Sequence, residues 1–177
     1  AGMNGGTADA LGLSLTGVDF ALALAAEKTP AAGATKRSWA TLKAEADGAS
    51  FTGIEGMTIG AQSLDVEINR SAADGSLVDY GTNPLEIATG PASSISLDME
   101  GSEGQLLRVS GSLDINLFNF FSVNGSFALE KSVGSVKVVD TAGTTATGDD
   151  TTTDVSVDLL TLGGDGIGAF AGMNGGT

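Results

Sequence analysis

The heptad Ala1-Gly2-Met3-Asn4-Gly5-Gly6-Thr7 returns unchanged as Ala171-Gly172-Met173-Asn174-Gly175-Gly176-Thr177. At about one chance in twenty per position, such agreement arises by accident on the order of once in a billion, so the offset of 170 residues reads as a repeat period. A period of that kind constrains the fold more than any other feature, because each copy must pack against a neighbour of the same sequence and the architecture must propagate. The expectation is one tandem-repeat period over residues 1–170, with 171–177 starting the next. The chain begins without an initiator Met and stops within the motif, and any targeting signal is expected outside it.

Within the period the pattern is that of strands. Leu64, Val66 and Ile68 alternate with Asp65, Glu67 and Asn69, and Leu113, Ile115 and Leu117 alternate with Ser112, Asp114 and Asn116. Val155, Val157 and Leu159 repeat the motif near the end. The dipeptides Asn4-Gly5, Asp47-Gly48, Asp74-Gly75, Asn124-Gly125 and Asp165-Gly166 tolerate the positive φ angles of tight turns. The reading is an all-β fold of mainly antiparallel strands joined by NG and DG turns, in an elongated repeat architecture of solenoid, sandwich or tube type. Phe20, Leu22, Leu64, Val66, Ile68, Leu113, Ile115, Phe127 and Leu129 carry the apolar phase and are expected in the core.

Three segments echo one another: Phe20–Leu24 leading to Glu27-Lys28, Leu64–Ile68 leading to Asn69-Arg70, and Phe127–Leu129 leading to Glu130-Lys131. Ahead of the first, Leu11, Leu13 and Leu15 are odd while Val18, Phe20 and Leu22 are even, so the phase changes at Thr16-Gly17 through a turn or bulge. Three related strand-turn-strand units, each followed by a loop, are expected. Residues 18–28 and 38–46 have helix-forming composition and could coil; the echo favours strand for 18–28, and for 38–46 strand stands only slightly ahead of helix. Thr141–Thr153 lacks large apolar groups and reads as an exposed hairpin tip or mobile loop.

Composition narrows function mainly by what it lacks. With no His and no Cys, the commonest general base, the thiolate nucleophile and the usual zinc, copper and haem ligands are missing. A glycosidase-like carboxylate pair would have to come from Asp98, Glu100 or Glu103, which sit beside Gly in what reads as a solvated acidic turn, and no catalytic residue is assigned. Gly163–Gly168 is glycine-rich but lacks the Lys-Ser/Thr of a phosphate loop. A net charge of −14 disfavours nucleic acid and anionic membrane surfaces. No apolar run reaches the roughly 18 residues of a spanning helix, so membrane insertion is not expected. Calcium is the one ligand the composition welcomes, through Asp149, Asp150, Asp154 and Asp165; no other cofactor is implied.

The period, the acidic Cys-free composition and the DG/NG-punctuated strands together resemble the giant tandem-repeat proteins of bacterial cell surfaces, of adhesin, filament or sheath type. That resemblance implies extracellular placement and extended architecture. The leading expectation is a structural module, not an enzyme, whose copies stack head-to-tail. The alternatives are a calcium-stiffened adhesin stalk and, because Ala21, Ala23 and Ala25 oppose Phe20, Leu22 and Leu24 on a strand apolar on both sides, an apolar groove for lipid.

Overall fold

The computed structural model describes residues 1–5, 7 and 9–172. Among these the protein is all-β, with strands β1 (Gly2–Met3), β2 (Leu11–Ala26), β3 (Ser38–Thr52), β4 (Met57–Arg70), β5 (Leu85–Gly90), β6 (Ser93–Leu97), β7 (Leu106–Leu117), β8 (Phe121–Asp140) and β9 (Thr151–Ala171). Seven of them form one antiparallel meander in the order β1-β2-β3-β4-β7-β8-β9, and β5 and β6 make a separate hairpin. The two segments with helical composition lie in β2 and β3, where Leu22 pairs with Leu42 and Phe20 with Ala44. Cross-strand pairing outweighs the modest helix propensity of Ala and Leu here.

Three of the five turn signals are not turns. Asp47-Gly48, Asn124-Gly125 and Asp165-Gly166 lie inside β3, β8 and β9, while Asn4-Gly5 and Asp74-Gly75 do sit in turns. Gly17 (φ 56°), Ser63 (φ 51°) and Gly166 (φ 61°) occupy the left-handed region in mid-strand. The positive φ that would close a hairpin instead builds a bulge that bends the strand and shifts its phase by one residue. What reads as strand-turn-strand is therefore one long, kinked strand, and β8 continues past Ser132 to Asp140 rather than ending in a loop. The loop after it, 141–150, is the exposed hairpin tip, but Thr151–Thr153 already belong to β9.

The kinks explain the register. The apolar phase changes along β2, β3, β4 and β9 but not along β7 and β8, where Leu107, Val109, Leu113 and Ile115, and Phe121, Val123, Phe127 and Leu129, stay in step. The meander's register slips where a kinked strand meets an unkinked one, at Gln62/Asp65 on β4 beside β7 and at Asn124/Ser126 on β8 beside β9. The apolar residues consequently stay on one side of the sheet above and below the bend, since Val66 faces Val109, Val109 faces Leu129 and Leu129 faces Leu162, while Ile59 faces Ile115 and Ile115 faces Val123.

That apolar side is not the core. Phe20, Leu22 and Leu129 are exposed, and Leu64, Val66, Ile68, Leu113, Ile115 and Phe127 are only half-buried, so the expected core is overturned. Their shared face is real, but nothing among the described residues covers it. The covered face is the opposite one, where the excursion 71–105 carrying β5 and β6 folds down as a cap over Ala21, Thr41, Asn69 and Leu106. Leu97, Met99 and Tyr80 from the cap complete a small cluster with Ala21 and Leu106. Asn69 donates to the Val78 carbonyl at 3.0 Å and accepts from Thr41 at 3.3 Å, which satisfies two buried polar groups under the cap. Trp39 donates its indole N–H to the Ser76 carbonyl at 3.0 Å and ties the start of the cap to β3.

Candidate assembly surface

Charges on the capped side form a ladder in direct register: Lys43 opposite Glu67, Glu67 opposite Arg108, Arg108 opposite Glu130. Arg108 reaches three carboxylates, Glu67 at 2.7 Å, Glu103 at 2.6 Å and Glu130 at 2.7 Å. The bond to Glu130 is the main reason its guanidinium is held even more firmly protonated than usual, and that bond, with help from Ser132, holds the Glu130 carboxyl below its ordinary range. Burial alone would lower the Lys43 ammonium, but Asp98 and Glu67 outweigh it and the net shift is upward. Two links reach into the cap, Lys43–Asp98 at 2.9 Å and Arg108–Glu103. Asp79 accepts the Gly101 N–H at 3.1 Å, the leading reason its carboxyl lies below the usual range, and so ties the cap to itself.

The carboxylates singled out from sequence are thereby accounted for. Asp98 and Glu103 are ion-pair anchors of the cap, and Glu100 accepts from Ser102 at 3.1 Å beside the 3-10 turn Gly101–Glu103. The calcium candidates are dispersed: Asp149 accepts from Thr144, Asp154 pairs with Lys137 at 2.8 Å, and Asp165 lies at the β9 kink. Asp150 Oδ1 is buried without a partner, yet no group of three acidic side chains that could hold a metal occurs among the described residues. The glycine-rich Gly163–Gly168 is kinked strand, not a phosphate-cradling turn. A trough of about 550 Å³ along the bend is lined by Thr16, Asp47, Gln62, Ser112 and Asp114 and holds no nucleophile–base pair.

The surfaces that stand out are the open ones. The protein exposes 11762 Å², whereas a compact monomer of 17.5 kDa exposes about 7,900 Å². One contribution is the uncovered apolar side; another is the pair of long sheet edges. Among the described residues, β9, of 21 residues, has no neighbour on its outer side, and β2, of 16 residues, meets on its outer side only the two residues of β1. Neither strand contains Pro or Lys, the residues with which sheet edges are commonly protected. Sequence periodicity found the apolar phase but carried no signal for which face the cap would choose. No helix among the described residues is long and apolar enough to cross a membrane. The chain matches no protein-family model, no curated protein and no solved structure.

The two heptads can be compared only in part, because Gly6 and residues 173–177 lie outside the described residues. Ala1 and Gly2 lie along the outer edge of β2, and Ala171 and Gly172 lie along β8.

Proposed function

We propose that the protein is one period of a tandem-repeat structural protein whose copies join head-to-tail into an extended rod, tube or filament outside a bacterial cell. The observation that carries this reading is the surplus surface: a single-layer sheet, capped on one side, leaves roughly 4,000 Å² more exposed than a compact monomer would, an area in the range of obligate interfaces. The recurring heptad supports tandem copies, and the long unprotected edges support neighbours made of strands. The array uses surface rather than a reaction centre, so the protein acts as a scaffold and not as an enzyme. Among copies, the apolar side packs inward against other apolar sides, and the acidic, capped side faces solvent.

The uncovered apolar face also supports a second reading, a groove that holds lipid. The calcium-stiffened adhesin stalk is the weaker alternative, since Thr144 and Lys137 already engage Asp149 and Asp154. Sedimentation velocity and electron microscopy of the purified chain, across a salt series and with or without a chelator, separate the three. Association into elongated particles that strengthens with salt and ignores the chelator is expected. A compact monomer under all conditions would contradict the structural reading, elongation lost with chelator would favour the stalk, and co-purified lipid on a monomer would favour the groove.

A further inference from the structure

We propose that β9 of each period pairs antiparallel with β2 of the following period, in the register that sets Ala171 opposite Leu13, Leu162 opposite Leu22 and Leu160 opposite Leu24, so that the meander runs unbroken from copy to copy. The proposal rests on the tandem-repeat reading and adds to it the joining surface and its register.

The first support comes from β1. Ala1 and Leu13 exchange both backbone hydrogen bonds, at 2.6 and 2.8 Å, and Gly2 stands opposite Gly12. Ala171 and Gly172 repeat Ala1 and Gly2 in sequence, so β1 is a sample of how the end of β9 meets the next β2. The glycines are matched: a Cβ on Gly12 would run into the Ala1 carbonyl and the Gly2 Cα, and a Cβ on Gly2 would run into the Leu11 carbonyl.

The second support is hydrogen-bond parity. Successive residues of a strand aim their N–H and C=O groups at alternate edges. Gly172 donates its N–H to the Phe120 carbonyl at 2.8 Å, toward β8. The N–H and C=O of Ala171 therefore point to the opposite, unpaired edge, and that is the edge Ala1 uses to bond Leu13. One strand can hold β8 on one side and β2 on the other with every backbone group used once.

The third support comes from the far side of the bend. The register sampled at Ala1 and Gly2 extrapolates along both edge strands without a slip only if each carries the same one-residue bulge, and each does, at Gly17 and at Gly166. Extended in this way it puts Leu22 against Leu162 and Leu24 against Leu160, all on the apolar side. Leu24, Leu162 and Leu160 are 74%, 73% and 70% exposed, more than any other large apolar side chain described. Shifting the pairing by one residue would send each set to the wrong face. The one unfavourable pair is Asp19 with Asp165, a like-charge contact that salt screens. The connection needed is short, the seven residues between β1 and β2, as sequential antiparallel neighbours require.

Two fused periods, residues 1–170 followed by 1–177, test this with paired cysteines, since the chain has none of its own. Leu162→Cys in the first period is combined with Leu22→Cys in the second, and separately with Leu24→Cys in the second as a two-residue slip. Directly opposite positions have Cα atoms about 4.5–5.5 Å apart, within disulfide reach, and slipped ones do not. Under mild oxidation at micromolar concentration, the Leu22 pair should close at least tenfold faster than the Leu24 pair, with far-UV circular dichroism showing intact β structure in both. Equal closure, faster closure of the slipped pair, or no closure in a folded chain would overturn the proposed pairing. X-ray scattering on the same fusion keeps the two levels apart: a single elongated particle without the Leu22 bridge defeats the pairing alone, and two independent beads defeat the tandem array as well.

Discussion

Arg108 and Glu67 face each other across β7 and β4 at 2.7 Å, and the same guanidinium closes on Glu130 of β8 and Glu103 of the cap. One side chain thus clamps three strands and the cap in a chain with net charge −14. Arg108→Met removes the cation and leaves three carboxylates near one another. We expect a loss of about 2 kcal/mol of unfolding free energy, read from urea midpoints followed by circular dichroism. A midpoint unchanged from the parent would show that the ladder carries no stability.

The cap should come loose when its small core is cut. Leu97 and Leu106 are fully buried, and truncating either to Ala should cost about 2–5 kcal/mol. Trp39, the single tryptophan, is bonded to the Ser76 carbonyl at the start of the cap, so its emission should shift red in these variants. Leu160→Ala, on the open edge, should change the stability of the isolated chain by less than about 0.5 kcal/mol. The reverse order of effects would mean that the apolar side, not the cap, holds the core.

Acid should weaken the Arg108 clamp through Glu130, and the cap through Asp79, within a defined window. The folded-state pKa of Glu130 is depressed below its ordinary 4.5, and that of Asp79 below 3.8. For depressed carboxylates the added stability is present in full above the unfolded value and disappears as pH falls through the folded one. Stability of the dilute chain should therefore hold steady down to about pH 5 and decline below pH 4.5, then again below 3.8. Denaturant midpoints at each pH check this, and a rise in stability across that range would refute the assignment.

The bend depends on a residue without a side chain at Gly17, where φ is 56° and a Cβ would press on the Asp47 carboxylate. Gly17→Val should cost about 1–3 kcal/mol through the left-handed backbone alone. A thermal midpoint equal to that of the parent would place the kink elsewhere.

Much of the secondary structure was legible in the residues. Alternation at Leu64–Ile68 and Leu113–Leu117 marks strands correctly, and the phase change at Thr16-Gly17 marks an irregularity, a turn or a bulge, of which the structure has the bulge. Asp47-Gly48, Asn124-Gly125 and Asp165-Gly166 read as turns yet lie within strands: the positive φ at Gly125 and Gly166 serves a bulge as well as a hairpin, and Asp47-Gly48, which has no positive φ, sits opposite the Gly17 bulge. The buried side was misjudged for a different reason. Periodicity tells that Phe20, Leu22 and Leu24 share a face, not that anything covers it. Ala21, Thr41 and Asn69 are small or polar, yet they lie under the cap because residues 71–105 dock there through Tyr80, Leu97 and Met99. That docking has no period to read. The ion ladder was equally hidden, since Lys43, Glu67, Arg108 and Glu130 become neighbours only once four strands are in register.

A sheet that does not end with the period lengthens the particle with every copy, and that length is its most direct readout. Six strands per period, β2, β3, β4, β7, β8 and β9, at about 4.8 Å each advance the sheet by about 29 Å. Small-angle scattering on two, four and eight fused periods should fit a particle whose length along the stacking direction grows by about 29 Å per added period, or somewhat less with twist, at a constant cross-section set by the strands. Increments that scatter like flexibly tethered beads, each with the cross-section and surface of a separate closed particle, would contradict the continuous sheet.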